Sequence, residues 1–465
     1  MQTTGLANKL KEISINTSKR REEIISQPIG PTLVRLTMPM LFALVAIMSL
    51  GLVDSYFISY LGTQQLAAIG FIMPITFIVT SVALGLGMSI SSLTSKLIGA
   101  ERMGLAARLI TDGFYLTAIT ALLVTLLFTL ALEEIFLLIG ADKTTLPHIY
   151  DYMHVWLFGT VLLMITQVCS STFRALGDTK TSALIAITMT LTNLVLDPLL
   201  IFGLGPFPEL GMQGAALATI IAVMVASVIG LYQLAIKERL LLPSLPSLSG
   251  FKNNLKQLID IAIPAVLANA IIPITAAMLT TLVARFGTDT VAGFGVGSRI
   301  EAVSLMIVYA MSATLPMFIG QNLGAGKPAR IVAALKLSFK FVVIFQLAIY
   351  ALLAVFSTSI ASVFSADVSV RETIVLFLLI VPISYGLSGV VVLINVSMNV
   401  LGRPKIALYI NILRLTVLYF PLAYFGSQAY GIKGLFIGVA IANCLTFCLA
   451  LMLLKRVLHD VNIID

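Results

Sequence analysis

From about residue 33 onward the chain runs from one apolar stretch to the next, with only short polar breaks between them. A helix needs about 20 mostly apolar residues to cross a bilayer. The runs long enough to qualify lie near residues 33–60, 67–93, 114–132, 152–173, 183–202 and 214–234. A second series lies near 259–283, 291–319, 338–356, 373–398, 406–424 and 435–454. This pattern predicts an all-α integral membrane protein with twelve transmembrane helices. Only 11% of the 465 residues are charged, against about 25% in soluble domains. That supply excludes a disordered chain and a nucleic-acid-binding protein.

The longest polar break, 237–257, holds Pro243, Pro246, Gly250 and four basic residues. It divides the chain into a cytosolic tail (1–28), a first lobe (29–236), this linker, a second lobe (258–456) and a closing tail (457–465). The first tail carries mixed charge and lacks the apolar core of a signal peptide, so the first span is expected to be an uncleaved anchor.

Charge orients the spans. With both termini cytosolic, 23 of the 29 basic residues fall on the inside and four in outer loops. This is a strong positive-inside bias. It predicts a multi-pass protein of the cell inner (plasma) membrane, and it reads the net charge of +8 as orientation.

The lobes repeat each other at a constant offset of 225 residues. Pro39 falls on Pro264, Gly62 on Gly287, Ala67 on Ala292, Gly70 on Gly295, and Gly99-Ala100 on Gly324-Ala325. Leu176-Gly177 and Lys180 fall on Leu401-Gly402 and Lys405. Six spans per lobe return the chain to its starting side, so the lobes enter the membrane in the same direction. Two pseudo-symmetric six-helix bundles related by an axis along the membrane normal are a transporter plan.

Ionisable residues within spans are costly, about 2.5–3.5 kcal/mol each on insertion scales, and each calls for a role. Asp54, Asp197, Arg299, Glu301 and Arg414 are the clear cases. Asp54 and Asp197 have no basic partner in the spans of their lobe. Each lies several residues inside the outer end of an odd-numbered span, roughly 9–12 Å deep at the helical rise. Asn193, four residues before Asp197, shares its helix face. Two unpaired carboxylates in such a pocket are expected to load and release a proton or a cation such as Na⁺. Arg299, Glu301 and Arg414 form a candidate charged network in the second lobe. Pro39 marks a kink in span one, and Pro198 directly follows Asp197.

Several weaker signals lead nowhere. Gly320–Pro328 imitates a phosphate loop but lacks its first glycine and its final Ser/Thr. The three cysteines and three histidines suggest neither a disulfide framework nor a metal cluster. No clustered catalytic set is visible, so an enzyme is not expected.

The segment MPMLFALVAIMSLGLVDSYFISYLG with LAAIG, together with FRALGDTK, TNLVLDPLLIFGLG, GMQGAALAT, VAGFGVGSRIEAV and QNLGAGKPAR, resembles the MATE (multidrug and toxic compound extrusion) transporters, in their DinF-like branch. The likeness runs from Pro31 to about Leu454. It implies Asp54, Asn193, Asp197 and also Thr219 as the first-lobe cation and proton site. It further implies export of bulky, mainly cationic amphiphiles by antiport. The NorM-like branch carries an acid in span seven, and this chain has none there, which favours the first-lobe site. The resulting expectation is a monomeric, ion-coupled multidrug antiporter working by alternating access in the lipid bilayer. H⁺ is favoured over Na⁺, and no cofactor is needed beyond the coupling ion. The competing readings are a lipid-linked precursor flippase and a polytopic membrane transferase.

Overall fold

The computed structural model describes residues 17–142, 144–243 and 248–463. Among them the chain is almost wholly helical, with no strand. Lipid offers no partner for backbone N–H and C=O groups, so a spanning chain must satisfy them within its own helices.

The chain forms two compact units. The first takes in Val34–Val266 and the segment ending at Gln27; the second takes in Pro28–Leu33 and the chain from Leu267 onward. The first unit holds α1 (residues 17–26), most of α2 (Ile29–Ser59), α3 (Thr63–Gly99), α4 (Met103–Leu130), the short α5 (Leu132–Leu138), α6 (Leu146–Ala175), α7 (Thr179–Ile201) and α8 (Gly211–Tyr232). The boundary falls inside α9 (Leu248–Ala284). The second unit continues with α10 (Thr288–Ser304), α11 (Met306–Gly324), α12 (Pro328–Val355), α13 (Ser357–Phe364), α14 (Val368–Ile380), α15 (Tyr385–Val400), α16 (Pro404–Leu413) and α17 (Phe420–Asp460).

Ten helical stretches are long and apolar enough to cross a bilayer, and α10 with α11, bent by 41°, make an eleventh span. The 57-residue stretch Pro404–Asp460 counts as one of the ten. It breaks at Tyr430 and Gly431, where the backbone leaves the helical region, and so supplies two spans. The described residues therefore carry the twelve expected spans. The break is a hairpin, because Gly426 and Gly434 lie backbone against backbone and Gly438 lies on the Leu422 carbonyl. Any side chain there would push the two arms apart.

The helices differ from the expected spans in their ends and interruptions. Most extend beyond the apolar run, since a helix continues through interfacial polar residues. Residues 248–257, expected as linker, are already part of α9. Span eight is broken at Leu305, where Gln346 Nε2 donates to the Ser304 carbonyl at 2.8 Å. Span ten is interrupted by a 3₁₀ turn at Val381–Ser384. α2 passes through Pro39, and α7 through Pro198, without a break in either helix.

The repeat extends to backbone conformation. Gly62 and Gly287 both have positive φ, 136° and 102°, and Gly177 and Gly402 both stand at 79°. The turn after α3 places Glu101 at φ 60° where the corresponding turn after α11 has Gly326 at 67°. A left-handed conformation costs a non-glycine residue roughly 1–2 kcal/mol, and Glu101 is held there by a 2.8 Å ion pair with Arg21 of α1.

α1 gives the charged tail a structural role. Thr17 Oγ1 donates to Glu238 at 3.0 Å, and Arg20 pairs with Glu238 at 2.9 Å and with Asp178 at 3.3 Å. Arg21 also donates two bonds to the Gly99 carbonyl, at 3.0 and 2.8 Å. One short helix thus ties together the turns that follow α3, α6 and α8.

Candidate functional site

The first-unit site is built by α2, α6, α7 and α8. Thr190, Asn193 and Asp197 repeat at helical spacing on one buried face of α7. α8 approaches that helix closely because Gly214 packs on the Leu200 carbonyl. This brings Thr219 within 3.3 Å of Asn193 Nδ2, which also donates to Asp197 Oδ1 at 3.2 Å. The C-terminal end of α2 is tied to α7 by aromatic contacts. Phe57 and Tyr60 meet the Phe202 ring edge-on at 6.2 and 6.4 Å. One turn before Phe57, Asp54 lies with its carboxyl group within hydrogen-bonding reach of that of Asp197.

Asn193 and Asp197 are each 1% exposed. Asp54 Oδ1, Asn193 Oδ1 and Asp197 Oδ2 are buried acceptors without a donor. Three buried oxygens without donors in one cluster favour a positive charge among them. A proton between the carboxyls, or a small hard cation among the oxygens, is chemically suited to it.

All four predicted residues of this site come together. Tyr152, which sequence reasoning missed, completes the group: it stands beside Thr219 and near both acids. Its place near the start of an expected span gave no signal, since aromatic residues are common at span ends.

The second-unit residues divide. Arg414 Nη2 donates to Asn443 Oδ1 at 2.9 Å and to Ser388 Oγ at 3.4 Å, and its guanidinium lies over the Tyr419 ring at 5.1 Å. Asn443 in turn donates to Ser384 at 2.9 Å. Glu301 stands in the electrostatic range of Arg414, Tyr309, Tyr385 and Tyr419. Arg299 does not join the network. It lies two residues from Glu301, about 200° around the helix, is exposed, and makes no ion pair among the described residues.

The MatE family model matches residues 39–199 and 264–425, one copy per half. The chain belongs to the MATE family of membrane transporters. The FAD transporter of Shewanella oneidensis is 40% identical over 444 residues, covering 96% of this chain and 98% of that protein. The multidrug export protein MepA of Staphylococcus saprophyticus is 24% identical, with 93% and 95% covered. Among solved structures, the Vibrio cholerae MATE transporter VcmN in its bent form superposes with a TM-score of 0.88 at 33% identity, covering 96% and 98%. This MATE chain thus shares fold and length with transporters named for quite different cargoes.

Proposed function

We propose that this MATE transporter exports small organic molecules against a cation gradient, with the coupling ion carried by Asp54 and Asp197. The three buried acceptors without donors at Asp54, Asn193 and Asp197 carry this reading. Such a pocket favours a bound positive charge and becomes costly when the charge leaves. Because the two carboxyls adjoin, a single proton held between them satisfies both, which favours H⁺ over Na⁺. Antiport follows when ion release and cargo release belong to opposite states of an alternating-access cycle. The cargo class is drawn from the relatives. The FAD transporter likeness makes a flavin dinucleotide the first candidate, and the acidic pocket supports amphiphilic cations as a second. The protein acts as a monomer, spans the inner (plasma) membrane many times, and keeps both termini in the cytosol.

The test uses proteoliposomes of the full chain under an imposed pH or Na⁺ gradient, with FAD and ethidium as cargoes. Wild type should move at least one of them with the pH gradient, and Asp54→Asn and Asp197→Asn should lose more than nine-tenths of that flux. Undiminished gradient-driven transport in both variants would remove the ion site. No gradient-driven movement of either cargo by wild type would remove the function.

A further inference from the structure

Three spans of the second unit lose regular α geometry around one polar cluster. α10 and α11 break at Leu305, four residues after Glu301. The 3₁₀ turn Val381–Ser384 ends immediately before Tyr385. Residues Arg414–Tyr419 are π-helical. Irregular backbone at membrane depth persists where protein or a cavity covers it, and π segments concentrate at functional sites.

The cluster holds unused hydrogen-bonding capacity. Arg414 Nε is a buried donor without a partner, and so is the hydroxyl of Tyr385, which is fully buried. The Glu301 side chain makes no hydrogen bond or ion pair among the described residues, and only its backbone carbonyl accepts, from Leu305. Arg414 does not turn to it, because its Nη2 is committed to Asn443 and Ser388. An acceptor and a donor are thus kept apart but adjacent, beside the rings of Tyr309, Tyr385 and Tyr419.

That arrangement selects a ligand. A purely anionic group would face the Glu301 carboxylate, and a purely cationic one the Arg414 guanidinium. A neutral edge carrying both a donor and an acceptor satisfies the two at once. We propose that this cluster recognises a planar heteroaromatic ligand through an imide edge, with Glu301 accepting its N–H and Arg414 Nε donating to a neighbouring carbonyl. Tyr309, 40% exposed, supplies a flat face for the ring system. The isoalloxazine ring of a flavin carries such an edge. The inference rests on the transport reading above and names the part of the cargo that is recognised.

The test measures flavin fluorescence anisotropy with the purified full chain, using riboflavin, FAD and N3-methylriboflavin. Riboflavin and FAD should bind alike, since they share the ring. N3-methylriboflavin should bind about tenfold or more weakly, the range for losing a hydrogen bond to a charged group. Glu301→Gln and Arg414→Gln should weaken riboflavin by a similar factor. Equal binding of the two riboflavins by wild type overturns the proposal, and this arm depends on no variant that must fold. Wild type that exports ethidium on a gradient yet binds no flavin also overturns it, while leaving the ion-coupled transport reading intact.

Discussion

Asn193 holds the first-unit site together because its one amide nitrogen serves two acceptors, Asp197 and Thr219, on two helices. Thr219 in turn donates to the Ala215 carbonyl at 3.1 Å, with Tyr152 beside it. Tyr152→Phe removes the tyrosine hydroxyl while keeping the ring. One neutral hydrogen bond is worth about 1 kcal/mol, so gradient-driven flux should fall roughly fivefold with little change in melting temperature. Unaltered flux would show that Tyr152 only packs there. Glu101 tests a different balance. Glu101→Gly relieves left-handed strain of about 1 kcal/mol and gives up an ion pair whose glutamate is exposed, worth about 0–1 kcal/mol. Thermal unfolding in detergent should show an unchanged or slightly raised midpoint. A clear drop would mean that the Arg21 contact outweighs the backbone strain.

At the scale of elements, the site depends on how closely α8 lies on α7. A Cβ on Gly214 would collide with the Leu200 carbonyl oxygen and stand 2.6 Å from its carbon, both backbone atoms that cannot swing aside. Gly214→Val should therefore force the helices apart, lengthen the Asn193–Thr219 contact and abolish ion-driven transport. It should also lower the melting temperature. Normal flux in that variant would show that the site tolerates a looser pair. α1 works differently, by linking turns. Arg20 joins Asp178, which caps α7, to Glu238 beyond the end of α8. Glu238 is 7% exposed, and Arg20→Ala leaves it buried, with Thr17 Oγ1 still donating to it. Removing one partner of a buried pair costs up to about 3–5 kcal/mol, discounted here because Arg20 is partly exposed. A drop of several degrees in the midpoint is expected, and an unchanged midpoint would show that α1 is not a brace.

At the scale of the molecule, the positive-inside bias predicts that Ser249→Cys labels only from the cytosolic side and Ser365→Cys only from the outer side, using a membrane-impermeant thiol reagent on a background without the three native cysteines. The reverse pattern would overturn the assigned orientation. Fold class, span number and the 225-residue repeat were legible in the sequence because lipid imposes them locally: each span must be apolar and must bond its own backbone. Asp54, Asn193 and Asp197 were legible for the same reason, since polar groups stand out against an apolar background. Tyr152 was not, because an aromatic residue near a span end is ordinary. Arg299 and Glu301 looked alike in the sequence, and only the rotation of α10 separated them. The break at Leu305 also escaped prediction, having no proline to announce it, whereas Pro421, two residues beyond the π segment, was a signal left unread. The sequence by itself determined that this chain crosses the membrane twelve times and keeps a few charges within it. Tertiary structure alone decided which of those charges meet and which hydrogen-bonding groups go unanswered, because these depend on the rotation and spacing of whole helices, which no single span encodes.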